Sequence, residues 1–336
     1  MTTFKEIRGT AIQVVSSDPS NPEEGQIWYN SSSGTLKGYQ LATVNAWASG
    51  GNLNTSRYQG AGCGIQTAGL MFGGALTGPG AATAATELYN GTSWTSSGNL
   101  GTARYDLSGS GTQTAGLAFS GGPPAVTGLT SSESFNGSSW TSTPSLNTGR
   151  KSGASSINGP QSATIFFAGA TYAPTSFKNA TESYNGTSWT TVNSMNTARA
   201  NLAGAGLQTA ALAFGGETGA PTYTNITESW NGTSWTTLPA TMNTTRAILA
   251  GFGLQTAAIG AGGYTGTVKS AATELYDGTS WTNVGTMATA RNGLSGAGLS
   301  STGLVFGGFD STAGTNATEE WTGPSTTLNY KTLTTS

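Results

Sequence analysis

Residues Ala85–Thr95 read ATELYNGTSWT, and the layout of the whole chain follows from finding that stretch again. It returns as SSESFNGSSW at Ser131–Trp140, ATESYNGTSW at Ala180–Trp189, ITESWNGTSW at Ile226–Trp235 and ATELYDGTSW at Ala272–Trp281. An altered sixth copy, ATEEWTG, stands at Ala317–Gly323. Each copy reads as a β-hairpin: a short apolar–polar alternation ending in an aromatic residue, an Asn-Gly or Asp-Gly turn, then Ser-Trp-Thr opening a return strand. Those dipeptides predict a turn with both central residues at positive φ, which they adopt at low steric cost. A lone hairpin is marginal in water, so the copies must stack on something larger.

Working outward, Trp47, Trp94, Trp140, Trp189, Trp235 and Trp281 are spaced by 47, 46, 49, 46 and 46 residues. Arg57, Arg104, Arg150, Arg199, Arg246 and Arg291 keep step with them. Between each Arg and its hairpin lies a second signature: GIQTAGLMFGG at Gly64–Gly74, GTQTAGLAFSGG at Gly111–Gly122, GLQTAALAFGG at Gly206–Gly216 and GLQTAAIGAGG at Gly253–Gly263. Looser copies are QSATIFFAG at Gln161–Gly169 and SSTGLVFGG at Ser300–Gly308. A period of roughly 40 to 50 residues holding four short strands predicts propeller blades in an all-β fold.

The order Arg, apolar strand, Gly-Gly, Glu-x-Tyr, Trp resembles the kelch repeat. The GH and WD pairs of WD40 repeats are absent. The resemblance covers about Trp47–Gly323 and departs from the family in a very short Tyr-to-Trp turn and a glycine-rich first strand. It implies a strand A after each Arg, a strand B ending in Gly-Gly, a strand C carrying Glu and Tyr, and a strand D opening at Trp. Small residues in strand A fit the innermost position, where backbones approach closely. Six A–B–C sets are present, but the first Trp-led D strand, Trp47–Leu53, precedes every strand A, and the last set has no tryptophan after ATEEWTG. The expectation is therefore a six-bladed kelch-like β-propeller over residues 46–323, its ring closed by the N-terminal strand D. Thr327–Leu333 is the competing strand for that place, in what otherwise reads as a C-terminal tail, 324–336.

Residues 1–45 differ in character. FKEIRGTAIQVV at Phe4–Val15 reads as a strand, Ser17–Gly25 as a turn-rich linker, and Gln26–Asn30 with Thr35–Tyr39 as a hairpin around Ser31–Gly34. The segment NPEEGQIWYNSSSGTLKGY…AW is similar to the P-x-x-G-x-[IL]-W-Y-[ND]…L…Y…W segment near the start of tail-fibre and other appendage proteins of bacteriophages. It spans about 30 residues. It implies an N-terminal attachment segment, 1–45, that joins a larger assembly.

Composition narrows the chemistry. Charged residues make up 8% of the chain, the net charge is −2 and there is no basic run, so neither nucleic acid nor an anionic membrane is an expected partner. No window approaches 18 apolar residues, and Met1–Val15 lacks the apolar core of a signal peptide. A Thr/Ser/Asn/Gly surface without an export signal is expected of a protein assembled inside a cell and released with something larger. The chain has no histidine, which excludes Ser-His-Asp and Cys-His catalysis and His-held metals. It also excludes the copper chemistry of galactose-oxidase-type kelch enzymes. Cys63 is the single cysteine and reads as a small buried residue.

Glu87, Glu133, Glu182, Glu228, Glu274 and Glu319 recur once per repeat. Equivalent acids in step with equivalent arginines predict repeated structural ion pairs rather than a catalytic dyad. The non-repeated acids Asp106, Glu217 and Asp310 are scattered and form no recognisable pair. Asn90, Asn136, Asn185 and Asn231 match the glycosylation pattern, yet the turns alone account for them. The phase-locked tryptophans are expected between blades rather than as sugar platforms. What varies is the B–C connection: 75–84, 123–130, 171–179, 217–225, 264–270 and 309–316. Tyr172, Phe177, Tyr223, Tyr264 and Phe309 on these loops form a candidate binding rim.

The function expected from this is a non-enzymatic structural or appendage protein of a phage virion: a fibre, tail or capsid-surface component. It would meet other virion proteins through the N-terminal segment and a host-surface glycan or protein through the rim, with no cofactor and no membrane insertion. A homo-oligomer is compatible with this, though no coiled-coil heptads enforce one. The alternative is a carbohydrate-active enzyme, a polysaccharide depolymerase, which needs two non-repeated carboxylates in one cleft.

Overall fold

The computed structural model describes residues 12–20, 26–76, 81–123, 126–172, 175–219 and 221–332, with side chains at these positions except 39–44 and 325–332. Most of the Phe4–Val15 strand and half of the Ser17–Gly25 linker lie outside the described residues. The described residues are all strand, turn and bend, without helix. The chain divides into two compact units, Ala46–Gly323 and Met1–Asn45 with Pro324–Ser336.

In the larger unit the repeats fold as antiparallel sheets whose strands follow chain order A-B-C-D. The first comprises Ala61–Ile65, Ala68–Phe72, Thr86–Tyr89 and Trp94–Ser97. The fourth repeats it with Ala203–Leu207, Ala210–Phe214, Thr227–Trp230 and Trp235–Thr237. Burial declines outward: Leu70, Met71 and Phe72 of strand B are wholly buried, whereas strand D buries only its tryptophan. Such a gradient arises when both faces of each sheet are covered near a common axis and splay apart away from it. Accordingly, each strand A packs beside the strand A of the next repeat, and Ser295–Gly298 of the sixth packs beside Ala61–Ile65 of the first.

The glycines of strand A have a steric cause. A Cβ on Gly109 would come within 2.3 Å of the Phe72 ring of the preceding sheet. The Gly-Gly after strand B has a conformational one: Gly73 and Gly74 sit at φ 64° and 111°, and a Cβ on Gly73 would lie 2.7 Å from the Arg104 carbonyl. The tight fit lets the Gly74 N–H donate to that same carbonyl at 2.9 Å.

The tryptophans join neighbouring sheets. Trp235 Nε1 donates to Thr181 Oγ1 of the preceding repeat at 3.0 Å, and its ring stands edge-on to Phe167 at 4.8 Å. Trp94, Trp140, Trp189 and Trp281 make the same kind of hydroxyl bond, to Thr318, Thr86, Ser132 and Thr227. Trp47 makes it too, to Thr273 Oγ1 at 2.9 Å, and its ring packs on Trp321. Here the strand Thr35–Ser49 lies beside Thr318–Thr332, and the Gly50 N–H bonds the Thr318 carbonyl. The strand beginning at Thr318 runs on through Thr332, past residue 323.

The hairpin turns differ from the sequence expectation in one respect. Tyr89 pairs with Trp94, so the connection is the four residues Asn90–Ser93, and only Gly91 takes positive φ. Asn90 serves instead as an acceptor: its Oδ1 receives the N–H groups of Thr92 and Ser93 at 2.9 and 2.8 Å. Asp277 does the same in the fifth repeat, and its hydrogen bonds with Thr279 and Ser280 hold its carboxyl down at about 2.

The third repeat departs from its siblings. Its strand A is reduced to Ala154–Ser155, and the following residues swing away from the sheet. The Asn158 N–H bonds Gly206 O, its Nδ2 bonds Gly298 O at 2.8 Å, and its Oδ1 accepts from Gly253 N. With its backbone on the fourth repeat and its side chain on the fifth and sixth, Asn158 lies across the axis. Ile157 lies beside it, packed among the core residues of both the first and the fifth repeats.

In the smaller unit Gln13–Val15 runs parallel to Ile27–Asn30, which pairs antiparallel with Thr35–Gly38 around the Ser31–Gly34 turn. Asp18 organises it, accepting from Trp28 Nε1 at 3.1 Å, Asn30 Nδ2 at 2.8 Å and Lys37 Nζ at 2.7 Å. These bonds, Lys37 foremost, hold the Asp18 carboxyl at about 2.

Candidate functional site

The second residue after each phase-locked arginine is Gln59, Asp106, Ser152, Asn201, Ile248 or Gly293. All of them adopt left-handed backbone, with φ between 53° and 63°. Asn, Asp and Gly tolerate that region, whereas a β-branched residue such as Ile248 is strained there. The conformation is held by the neighbours. Gln59 N donates to Gly293 O, Gly293 N to Ile248 O, Ile248 N to Asn201 O, Asn201 N to Ser152 O, Ser152 N to Asp106 O and Asp106 N to Gln59 O, all at 2.7–3.0 Å. The bonds form an unbroken cycle. Inside it is a cavity of about 110 Å³ whose wall also includes Leu107, Leu202, Leu249 and Leu294. A second space of about 110 Å³ continues along the strands A and ends against Ile157.

The mouth of this channel has two unlike sides. On one, the Ser152 hydroxyl is 3.3 Å from the Tyr172 hydroxyl, and Asn201 Nδ2 donates to Glu217 Oε1 at 2.6 Å. Asp106 stands beside Ser152 in the cycle, on the side away from Asn201. Burial pushes its carboxyl up to about 7, against the pull of Lys151 and a hydrogen bond from Ser152. By exposed area Asp106 is only half-buried, because its carboxyl borders the cavity, so the upward direction follows from its dense surroundings. Tyr172 is likewise raised by burial and further by the charges of Asp106 and Glu217. Lys151 is held by the Pro123 carbonyl at 2.7 Å and by the face of Tyr105. On the other side Tyr58, Gln59, Ile248, Asn292, Gly293 and Phe309 surround a space of about 210 Å³, with Tyr58 edge-on to Phe309 at 5.2 Å.

The predicted rim residues are drawn into this surface to different degrees. Tyr172 and Phe309 reach the mouth. Tyr223 and Tyr264 pack on each other at 5.8 Å further round, and Phe177 pairs across a short ribbon with Ala170. All five are half-buried. Lys269 lies over the Phe309 ring and donates to the Asp310 carbonyl. Asp106 and Glu217, scattered in sequence, both raise Tyr172 through their charges, whereas Asp310 closes its own turn through Thr312 and Ala313. The signal for the mouth was present: within a frame that repeats, the position two after Arg changes in every copy.

The arginines and glutamates lie elsewhere, inside the sheets. Arg57–Glu87, Arg104–Glu133, Arg150–Glu182, Arg199–Glu228, Arg246–Glu274 and Arg291–Glu319 are 2.5–3.2 Å apart, with every guanidinium fully buried. In each pair the second carboxylate oxygen accepts a backbone N–H three residues before the arginine, as Asn196 N does to Glu228 at 2.7 Å. Burial lowers Arg57 and Arg199 to about 10. Cys63 is buried, which pushes its thiol up and keeps it unreactive. Among the described residues no group of three acidic or cysteine side chains gathers to hold a metal.

No family model matches the chain, and no curated protein matches its sequence. Solved structures do: 231 chains are similar in fold, so the architecture is a widely used one. YjhT is among them, superposing with a TM-score of 0.67 over 83% of this chain and 99% of its own, at 13% identity. At that identity the likeness concerns fold alone, and with the successive four-stranded antiparallel sheets it makes the larger unit a β-propeller.

Proposed function

We propose that the chain is a non-enzymatic component of a bacteriophage virion, a fibre, tail or capsid-surface protein, whose propeller presents its loop-bearing mouth to a host receptor or a neighbouring virion protein. The propeller is six-bladed and kelch-like in this proposal, with Trp47–Ser49 serving as strand D of the last blade. The cyclic bonds around the mouth and the Trp47–Thr273 contact favour that count and that closure. The observation that carries the functional half is the segment Asn21–Trp47, similar to the start of phage appendage proteins. In it Trp28, Asn30 and Lys37 converge on Asp18, giving the motif a structural reason to recur as a unit. Immunogold labelling of phage particles with an antibody against the propeller tests the proposal. Gold on tails, fibres or capsids supports it, and particles that never label overturn it.

A second function, polysaccharide depolymerisation, gains one specific observation: Asp106 and Glu217 both act on Tyr172. Release of reducing ends from host polysaccharide, lost in Asp106→Asn, would establish it.

A further inference from the structure

We propose that the mouth of the channel is a blind well for the terminal sugar of a neutral glycan, seated between the polar side at Asp106, Ser152, Tyr172 and Asn201 and the apolar shelf at Ile248 and Phe309. This deepens the reading of the propeller as a displayed binding module and rests on it.

A saccharide unit has hydroxyls that both donate and accept, set around a ring whose C–H faces are apolar. Its partner must offer mixed donors and acceptors on one side and an aromatic or aliphatic surface on the other. The mouth has this division. Ser152 and Tyr172 hydroxyls donate and accept, the Glu217 carboxylate accepts, and the carboxamides of Gln59 and Asn201 do both. The Gln59 carboxamide has no partner among the described residues although it borders both spaces. Phe309 and Tyr58, fixed edge to face, line the shelf. The channel mouth and the shelf share Gln59, Ile248 and Gly293, so they form one continuous depression.

Other ligand classes fit poorly. An anion would meet two carboxyls and one lysine already engaged by a carbonyl and a ring. Among the described residues no third carboxylate or thiolate joins Asp106 and Glu217 to hold a metal ion there. An extended chain could not thread the channel, because Ile157 and Asn158 lie across it. What enters must do so end-on.

The test uses the purified full chain, a printed array of neutral oligosaccharides and saturation-transfer NMR on the best hit. Asn201→Gly removes the carboxamide while keeping the left-handed backbone, as Gly293 does at the equivalent place. Phe309→Ala removes the shelf, and Phe177→Ala serves as a control away from the mouth. Saccharide binding that falls about tenfold or more in each mouth variant, and not in the control, with melting temperatures within a few degrees of the parent, supports the well. Absence of binding to any neutral saccharide, or binding indifferent to both mouth variants, overturns it. Adsorption to host cells is measured in parallel. Adsorption that survives both mouth variants leaves the virion function standing and removes the well. Saccharide binding at the mouth by a protein absent from particles does the reverse.

Discussion

Arg199 and Glu228 place two of the chain's few charges where neither touches water, and the two act as a unit. The guanidinium also donates to the carbonyls of Gly215 and Ile226, while the carboxylate takes the N–H groups of Asn196 and Thr197. Arg199→Ala leaves a buried carboxylate without its cation and is expected to cost about 3–5 kcal/mol in urea unfolding. Arg199→Met combined with Glu228→Gln should recover part of that loss, since it removes the uncompensated charge and keeps acceptors for the loop. Asp106 gives a second prediction, with the opposite dependence on charge. Its folded value near 7 lies above the ordinary carboxyl value of 3.8, so the folded state holds the proton more tightly. The stability this contributes is complete below about pH 4 and is lost as pH rises toward 7. The groups facing it are Lys151, Ser152 and Tyr172. Asp106→Asn should flatten this part of the stability–pH curve, matching the parent at pH 4 and exceeding it by about 2 kcal/mol at pH 8. Equal slopes for the two proteins in thermal melts would contradict the assignment.

At the scale of elements, the hairpins explain both what the sequence made legible and what it hid. Strand positions, the Arg–Glu pairing and the inter-sheet tryptophans could be read because each is written several times in phase, so chance coincidence is removed by repetition. The turn chemistry was half legible. Asn-Gly marks a reversal, but whether the Asn supplies a left-handed residue or a side-chain acceptor depends on loop length, and the pairing of Tyr184 with Trp189 decides for the acceptor. Asn185→Ala should therefore cost about 1 kcal/mol by removing bonds to Thr187 and Ser188, whereas Asn185→Asp should be nearly neutral, as Asp277 already is in the fifth repeat. Urea midpoints of the two variants separate these outcomes. The mouth was hidden for the converse reason. Gln59, Asp106, Ser152 and Asn201 are alike in backbone conformation and unlike in side chain, and Glu217 lies 111 positions from Asp106 in the chain. The first four share only their place two residues after an arginine, and nothing in the repeat ties Glu217 to them. Likewise, nothing in SSINGPQSA foretells that Asn158 crosses to the fourth, fifth and sixth repeats; only the looseness of that copy was visible.

For the whole molecule, the contribution of the strand at Trp47 is the quantity to measure. Chains beginning at Ala46 retain Trp47 and its bond to Thr273, whereas chains beginning at Gly51 lose both and uncover the edge of Thr318–Gly323. The first truncation should melt within a few degrees of the full chain and the second well below it, since the second removes the Trp47 contact and leaves the sheet edge at Thr318–Gly323 unpaired. Equal melting of the two would mean that Trp47 does not hold the last sheet. The hydrogen bonds along the axis carry a further consequence. One cycle joins the left-handed residues, each repeat donating to the one before it. A second joins the Gly-Gly turns to the arginine carbonyls, Gly74 to Arg104 and onward to Gly308 and Arg57, each repeat donating to the one after it. A gene holding near-identical copies in tandem is prone to gain or lose one during replication. A protein built as an open stack would tolerate that. Here each donor and acceptor in both circles is taken by the neighbouring repeat, so a lost copy leaves one donor and one acceptor in each circle to be re-paired across a wider gap, while the side chains two residues after each arginine take no part in these bonds and are free to diverge.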